Sequence, residues 1–412
     1  MTRVIHTGDT HIGYRQYHSP ERRADFLDAF EAVVDDAVEM GVDAVVHAGD
    51  LFHDRRPDLQ DLLGTLSALR RLDDAGVPFL AVVGNHESTR GGQWLDLFSS
   101  LGLATRLGAA PYVLGNTAFY GLDHVPRSRR DDLDYAFDPH DADYAALVSH
   151  GLFTPFAHAD WETETVLRES TVDFDAVLLG DNHAPGTAVV EGTWVTYCGS
   201  TERASADERE ARGYNVVEFG ADADGPEDAP AGVDVRRRSL DTRPFVFVDV
   251  DLGEGEGVDR VREQVRQHDL TDAVAVVEVT GEGDPVTAAA VEDVASEEGA
   301  LLARVTDRRE FDPVDEAVPD VRFADPDAAV ADRVREMGLS SLARDIDETV
   351  RESKAADSAV RERVRDRIED ALDDPEAFEA AETDADTDGT GDGSAEGDAA
   401  GTDGQVSMED YL

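Results

Sequence analysis

The chain has 412 residues, 41% of them hydrophobic, and sets 91 acidic against 37 basic residues for a formal net charge of −54, so it is globular and long enough for about two to three domains. Only one of the basic residues, Lys354, is a lysine, and this acid excess goes beyond solubility needs; it fits a haloarchaeal-type cytosol, where at 1 M salt the Debye length is about 3 Å. A disulfide scaffold is excluded because Cys198 is the only cysteine, and a membrane span because no run nears the roughly 20 apolar residues it needs, whereas nucleic acid is not excluded, since screening removes long-range repulsion.

Met1-Thr2-Arg3 leads straight into Val4-Ile5 with no signal-peptide core, so a soluble cytoplasmic chain is expected. Ser19-Pro20-Glu21 offers an N-cap and an N1 proline. Phe26, Phe30, Val33, Val34, Ala37 and Val38 then follow at helical spacing until Gly41. Val42 to Ala48, Pro78 to Val83, Ala145 to Val148 and Phe174 to Leu179 are nearly continuous apolar runs, the pattern of strands buried on both faces. A second helix is expected over Asp58 to Ala75. Thr187 to Val190, Trp194 to Cys198 and Tyr214 to Phe219 read as short strands of a second sheet, and 220–232 as a surface loop.

From Pro244 the pattern restarts: strands over Phe245 to Val250, Ala273 to Val279 and Ala300 to Val305, with helices over Val258 to Gln267 and Val286 to Glu297. The expected organisation is a 1–240 α/β domain, a small α/β domain over 244–311 and a Pro- and acid-rich linker over 312–328. A helical segment over 329–373 and an acidic disordered tail over 374–404 follow. The narrow apolar stripes of 329–373 suit docking on a partner better than a core of their own.

Chemistry concentrates in the first half, where Gly8-Asp9-Thr10-His11, Gly49-Asp50, Gly84-Asn85-His86, Ser149-His150-Gly151 and Gly180-Asp181-Asn182-His183 each follow or end a strand-like run. Parallel α/β sheets gather their sites at such strand ends. Asp9, His11, Asp50, Asn85, His150, Asp181 and His183 supply the ligands that two cations sharing one carboxylate require, the arrangement that hydrolyses phosphoesters. The mixed oxygen and nitrogen set suits Mn²⁺, with Mg²⁺ as the alternative, better than a thiolate metal. His6 and His47, inside apolar strands, read as satisfied core histidines.

These motifs resemble the calcineurin-like metallophosphoesterases. The fuller strings Gly8 to Gly13, Gly49-Asp50-Leu51-Phe52-His53-Asp54-Arg55-Arg56-Pro57, Gly84-Asn85-His86-Glu87 and Gly199-Ser200-Thr201-Glu202-Arg203 are similar to the nuclease of the meiotic-recombination-eleven family, known in bacteria as SbcD. The resemblance implies a four-layer α/β sandwich with a small α/β capping domain and a C-terminal helical segment that binds a coiled-coil ABC-type ATPase. It also implies a homodimer, and a Mn²⁺-dependent exo- and endonuclease acting on DNA at double-strand breaks. One metal would sit on Asp9, His11, Asp50 and His183, the other on Asp50, Asn85, His150 and Asp181, with Asp50 bridging.

In that family the histidine of Gly-Asn-His-Glu, here His86, engages the scissile phosphate and assists the leaving group. His53 would support it, and Arg55 and Arg203 are candidates for phosphate contacts. Asp181 departs from the pattern, which usually has a histidine there; a carboxylate still ligates but favours harder cations. Two alternatives are a small-molecule phosphoesterase and a repair scaffold with weak nuclease activity. At the C-terminus Gln405, Met408, Tyr411 and Leu412 match the spacing of peptides that bind a sliding clamp.

Overall fold

The computed structural model describes residues 1–309, apart from 90 and 222–229, together with scattered positions between 340 and 368. The chain divides into two units, Met1–Glu316 and Ala317–Leu412. The first unit opens with β1 (Thr2–Thr7), α1 (Pro20–Met40), β2 (Ala44–His47), α2 (Leu59–Asp74), β3 (Phe79–Ala81), α3 (Trp94–Ser100) and β4 (Thr105–Arg106). It continues through β5 (Tyr112–Leu114), β6 (Thr117–Leu122), β7 (Tyr144–His150), α4 (Thr163–Glu169), β8 (Ala176–Gly180), β9 (Gly186–Val190), β10 (Thr193–Tyr197), β11 (Gly213–Phe219) and β12 (Val233–Ser239). A last group comprises β13 (Phe245–Leu252), α5 (Val258–Val265), β14 (Val274–Gly281), α6 (Ala288–Glu297) and β15 (Leu302–Asp307).

The helix α1 begins and ends where local chemistry dictates. Ser19 accepts a hydrogen bond from the Arg22 amide at 3.1 Å and Pro20 fills the first turn. Gly41 closes the helix in the left-handed conformation, φ 59°. Asp58, ahead of α2, is held by its amide's bond to Asp61 Oδ2 at 3.1 Å.

Two mixed six-stranded sheets form, in the orders β12-β11-β1-β2-β3-β4 and β5-β6-β7-β8-β10-β9. Strands β1 to β4 of one run parallel to one another, as do β6, β7, β8 and β10 of the other; β11 and β12 extend the first sheet antiparallel beyond β1, and antiparallel β5 and β9 close the second. Alternation along the strands builds three apolar layers. Val4, Val46, Leu80, Val148 and Leu178 pack between the sheets, while Ile5, Val45 and Phe79 face α1 and α2. Leu147, Val177 and Val195 face Phe153, Trp161 and Val166 on the far side. This is the expected α/β sandwich, although the outermost cover on the second sheet is one short helix, α4, plus loops.

One strand lies elsewhere than expected. The segment Tyr214 to Phe219 is not in the second sheet but pairs antiparallel with β1, Val4 opposite Val217. With Tyr214, Val217 and Phe219 fully buried, it shields what would be an open apolar edge of the first sheet. β4, β5, β6, α3, α4 and β12 are elements beyond those expected from the sequence.

Residues 245–307 form a three-stranded parallel sheet, β13-β14-β15. Val248, Val250, Leu252, Val277 and Val279 pack on Val261, Val265, Val291 and Val294 of the two helices. The odd-numbered face of β13 meets arginines of the larger body: Arg22 and Arg203 lie over the Phe245 ring at 5.0 and 5.2 Å, and Arg209 over Phe247 at 4.7 Å. Arg209 also pairs with Asp249 at 2.7 Å, and Arg243 with Asp25 at 2.6 Å.

In the second unit Leu342, Ile346, Val350, Val364 and Ile368 are helical, and most of the expected segment 329–373 lies outside the described residues. The linker 312–328, the tail 374–404 and Gln405, Met408, Tyr411 and Leu412 lie outside the described residues. Among the described residues no helix is long and apolar enough to cross a membrane.

His6 and His47 are fully buried, as expected, but each is satisfied at one nitrogen only. His6 Nε2 donates to the Leu179 carbonyl at 3.2 Å. Thr10 Oγ1 gives its proton to the Leu51 carbonyl and so accepts from His47 Nε2 at 3.0 Å. Burial lowers both pKa values from 6.5 to about 3. A depressed histidine pKa stabilises the fold fully above pH 6.5, and that contribution is lost as pH falls towards 3. At fixed molar KCl, His47→Gln, which keeps the donor to Thr10, should show an acid stability slope shallower than wild type by up to about 1.4 kcal/mol per pH unit. Chemical denaturation across that pH range checks this, and parallel slopes would contradict it.

Candidate metal centre

The carboxyl ends of parallel strands from both sheets meet at one place. Asp9 follows β1, Asp50 follows β2, Asn85 follows β3, His150 ends β7 and Asp181 follows β8. Short ties hold the loops: Asp9 N donates to Gly49 O, and His11 N to Asp50 O, each at 3.0 Å. Asp181 N donates to the Asp9 carboxylate at 3.0 Å, and His86 N to Asp50 Oδ1 at 2.9 Å.

Crowding of the loops requires particular residues. A Cβ at Gly84 would collide with Asp50, and one at Gly180 with the Ala48 carbonyl. Asp9, His11, Asp50 and Asp181 all adopt left-handed backbone, with φ of 48°, 44°, 57° and 90°. Each such non-glycine residue costs about 1–3 kcal/mol, strain that persists only where surrounding structure enforces it.

All seven expected ligands converge. Asp9, His11 and His183 form one group, and Asp9, Asp50 and His150 another, with ligand atoms within 4.8 Å of one another. Asp50 Oδ2 stands 3.4 Å from His150 Nε2 and 3.9 Å from His11 Nε2. His150 Nε2 also faces Asn85 Oδ1 at 3.3 Å and Asp181 Oδ1 at 3.7 Å.

The donor chemistry fits a pair of cations. His150 Nδ1 donates to the Ala48 carbonyl at 2.8 Å, which aims Nε2 among three oxygen atoms. Burial alone would lower the His150 pKa, yet Asp50, Asp181 and Asp9 hold it well above its ordinary value. The pocket therefore calls for positive charge at that point, which a divalent cation meets as well as a proton does. Burial lifts Asp9 to about pH 6 against its neighbouring imidazoles. At the other end His11 Nε2 and His183 Nε2 approach to 3.0 Å, two ring nitrogens converging on one point.

Three residues support the site: Glu208 and Arg212, which no motif marks, and Glu87, which stands in the Gly84-Asn85-His86-Glu87 string without a role assigned from sequence. Glu208 Oε1 accepts from His183 Nδ1 at 2.8 Å, fixing the ring so that Nε2 faces the centre. Burial would lower the His183 pKa, but Glu208 raises it to about 9. Buried Arg212 clamps this arrangement, donating to the His183 carbonyl, Ser200 Oγ and Glu208 Oε2 at 3.0–3.1 Å. Buried Glu87 accepts from the amides of Gly84 and Phe52, both at 3.3 Å, and burial raises its pKa to about 7. In so acidic a chain Glu208 carries no local signal; only its distance from His183 reveals it.

His86 and His53 stand beside the ligands. Their rings lie 4.8 and 5.4 Å from that of His11. His86 Nδ1 donates to the His53 carbonyl at 2.8 Å, which leaves Nε2 for other work. Tyr14 stacks on His53 at 3.9 Å. Arg55 is exposed on the same loop. Arg203 instead donates to the carbonyls of Glu208 and Glu210 and to Thr242 Oγ1 while covering Phe245, so the structure engages it in joining loop and small domain.

Residues 2–185 match the calcineurin-like phosphoesterase family. The DNA double-strand break repair protein Mre11 of Haloferax volcanii is 73% identical over 362 residues, covering 88% of this chain and 80% of the relative. Its namesake from Halobacterium salinarum is 61% identical over 363 residues, 88% of this chain and 92% of the relative. This chain belongs to the Mre11 family. A Mre11 from Methanosarcina acetivorans, 42% identical over 371 residues, covers 87% of this chain and 59% of that protein. The Mre11 family member described here is thus a metallophosphoesterase, an enzyme whose histidine and aspartate clusters form a dimetal-type site.

The Glu208 contact yields a measurable expectation. Glu208→Gln keeps the shape but loses the carboxylate, and should weaken one of two Mn²⁺-binding events by about 10-fold or more in equilibrium dialysis. Unchanged affinity for both would show that Glu208 does not orient a ligand.

Proposed function

We propose that this Mre11-family chain is a Mn²⁺-dependent DNA nuclease of double-strand-break repair, with exonuclease action on duplex ends and endonuclease action on single strands. The observation that carries the reading is the convergence of side chains about Asp50 Oδ2, which lies 3.9 Å from His11 Nε2 and 3.4 Å from His150 Nε2. Asp9, His11, Asp50 and His183 would hold one cation, and Asp50, Asn85, His150 and Asp181 the second. The oxygen-rich second set favours Mn²⁺ or Mg²⁺.

Bound there, the cations would supply charge to neutralise the phosphate oxygens and would lower the pKa of a water, making its deprotonated form available as the nucleophile. The chain's own residues do the rest. Asp50 and Asp9 are kept in place by the amides of His86 and Asp181. His86, anchored through Nδ1, presents Nε2 to give a proton to the departing sugar oxygen. His53 supplies the carbonyl that sets this ring, and Arg55 stands on its loop as a phosphate contact.

A coiled-coil ABC-type ATPase on the helical segment, a homodimer and a cytoplasm at molar salt complete the reading. The dimer is supported by exposed Leu59 and Leu63 on α2 and Leu97 and Leu101 by α3, 43–70% accessible. A sliding clamp binding Gln405 to Leu412 is part of the same proposal.

Assayed at molar KCl with Mn²⁺, wild type should shorten a linear duplex, and His86→Ala should lose about 100-fold or more of that activity. Activity confined to phosphomonoesters would favour a small-molecule phosphoesterase, and no hydrolysis of either would leave a scaffold role. Asp181→Ala should hold about one Mn²⁺ in place of two, measured by metal analysis after dialysis. Full retention of both would remove Asp181 from the ligand set.

A further inference from the structure

In so acidic a chain an exposed arginine that forms no ion pair is unusual. Among the described residues of the first unit, Arg56, Arg70, Arg127 and Arg129 are exposed, and their side chains make no ion pair, hydrogen bond or ring contact. Arg70 lies on the outer side of α2. The other three sit on two segments that each touch the metal centre, one through His53 and one through His124.

Arg56 belongs to the loop 53–57, whose His53 ring packs on those of His11 and His86 at 5.4 and 4.9 Å. Arg127 and Arg129 lie in a short 3-10 helix, Arg127–Asp132, directly after the loop of His124, whose buried ring lies 6.1 Å from that of His150. This second loop is built into the site. Val83, just ahead of Gly84-Asn85, donates its amide to Asp123 Oδ1 and accepts from the His124 amide, each at 2.8 Å. Arg130, three residues after Arg127, is locked by Asp160 at 2.6 Å and by the Trp161 face at 4.3 Å, and its Nε donates to the Val125 carbonyl at 2.9 Å. One arginine of the run therefore fixes the loop while two project into solvent.

We propose that Arg127 and Arg129 form a cationic lip at the His150 end of the metal centre, facing Arg56 at the His53 end, and that the two lips grip the phosphates of a nucleic-acid strand on either side of the scissile bond. The inference rests on the nuclease reading and deepens it. Contacts to backbone phosphates set register and orientation without reading sequence. At molar salt long-range attraction is gone, so such a protein needs guanidinium groups in direct contact with phosphate, where their paired donors still act. Arginines that form no ion pair keep their donors available for that contact.

The test compares full-length wild type, R127A/R129A, R127K/R129K and R70E on a DNA strand with Mn²⁺ over a series of KCl concentrations. R70E changes the net charge as much as R127A/R129A does, but away from the loops. The expected result for R127A/R129A is a KM for DNA raised about tenfold with kcat within about twofold. The slope of log affinity against log salt should be shallower by about 1 to 2. R127K/R129K should keep the wild-type slope, and R70E both wild-type constants. Wild-type KM and slope in R127A/R129A, alongside DNA cleavage by wild type, would overturn the lip and leave the nuclease reading intact. An equal rise in KM for R70E would reduce the effect to bulk charge and also overturn it. Wild type that hydrolyses a small diester but neither binds nor cleaves DNA would overturn both.

Discussion

Three carboxylates, those of Asp9, Asp50 and Asp181, are brought within reach of His150; Asp9 and Asp50 are at most 1% exposed, while the Asp181 side chain is 21% exposed. Charge buried so deeply is tolerated only against opposite charge and directed hydrogen bonds. The imidazoles hold Asp50 well below the usual carboxylate range although burial pushes the other way. Much of the surrounding architecture can be understood as holding these like charges together so that cations complete them.

The two sheets supply the means. Because β1, β2 and β3 run parallel in one sheet and β7 and β8 in the other, their carboxyl ends deliver five separate chain segments to one point. Glycines let the segments touch, and left-handed turns at Asp9, His11, Asp50 and Asp181 aim the side chains inward. Glu87, Glu208 and Arg212 then restrain the loops from behind. Strain and buried charge are thus local costs, offset by the large apolar layers on both sides of the sheets.

How much of this was legible in the sequence follows from how local each determinant is. Ser19, Pro20 and Gly41 act on their own backbone, so α1 could be bounded to the residue. The candidate metal ligands were legible because each lies in a glycine-containing loop at the end of an apolar run. The strand β11 was visible but its sheet was not, since only tertiary pairing decides which edge it covers. In β12 consecutive arginines, Arg236 to Arg238, hide the apolar alternation of an edge strand. Glu208 and His124 act through space on His183 and His150, and Arg203 reads like a phosphate contact until its bonds to Glu208 and Glu210 are seen.

The most direct test of the central claim is anomalous diffraction at the manganese edge from crystals of the full-length chain grown with Mn²⁺. The account predicts two peaks about 3.5–4 Å apart, with the Asp50 carboxylate between them and Asp181 on the peak nearer His150. A single peak, or a second one away from Asp50, would contradict it.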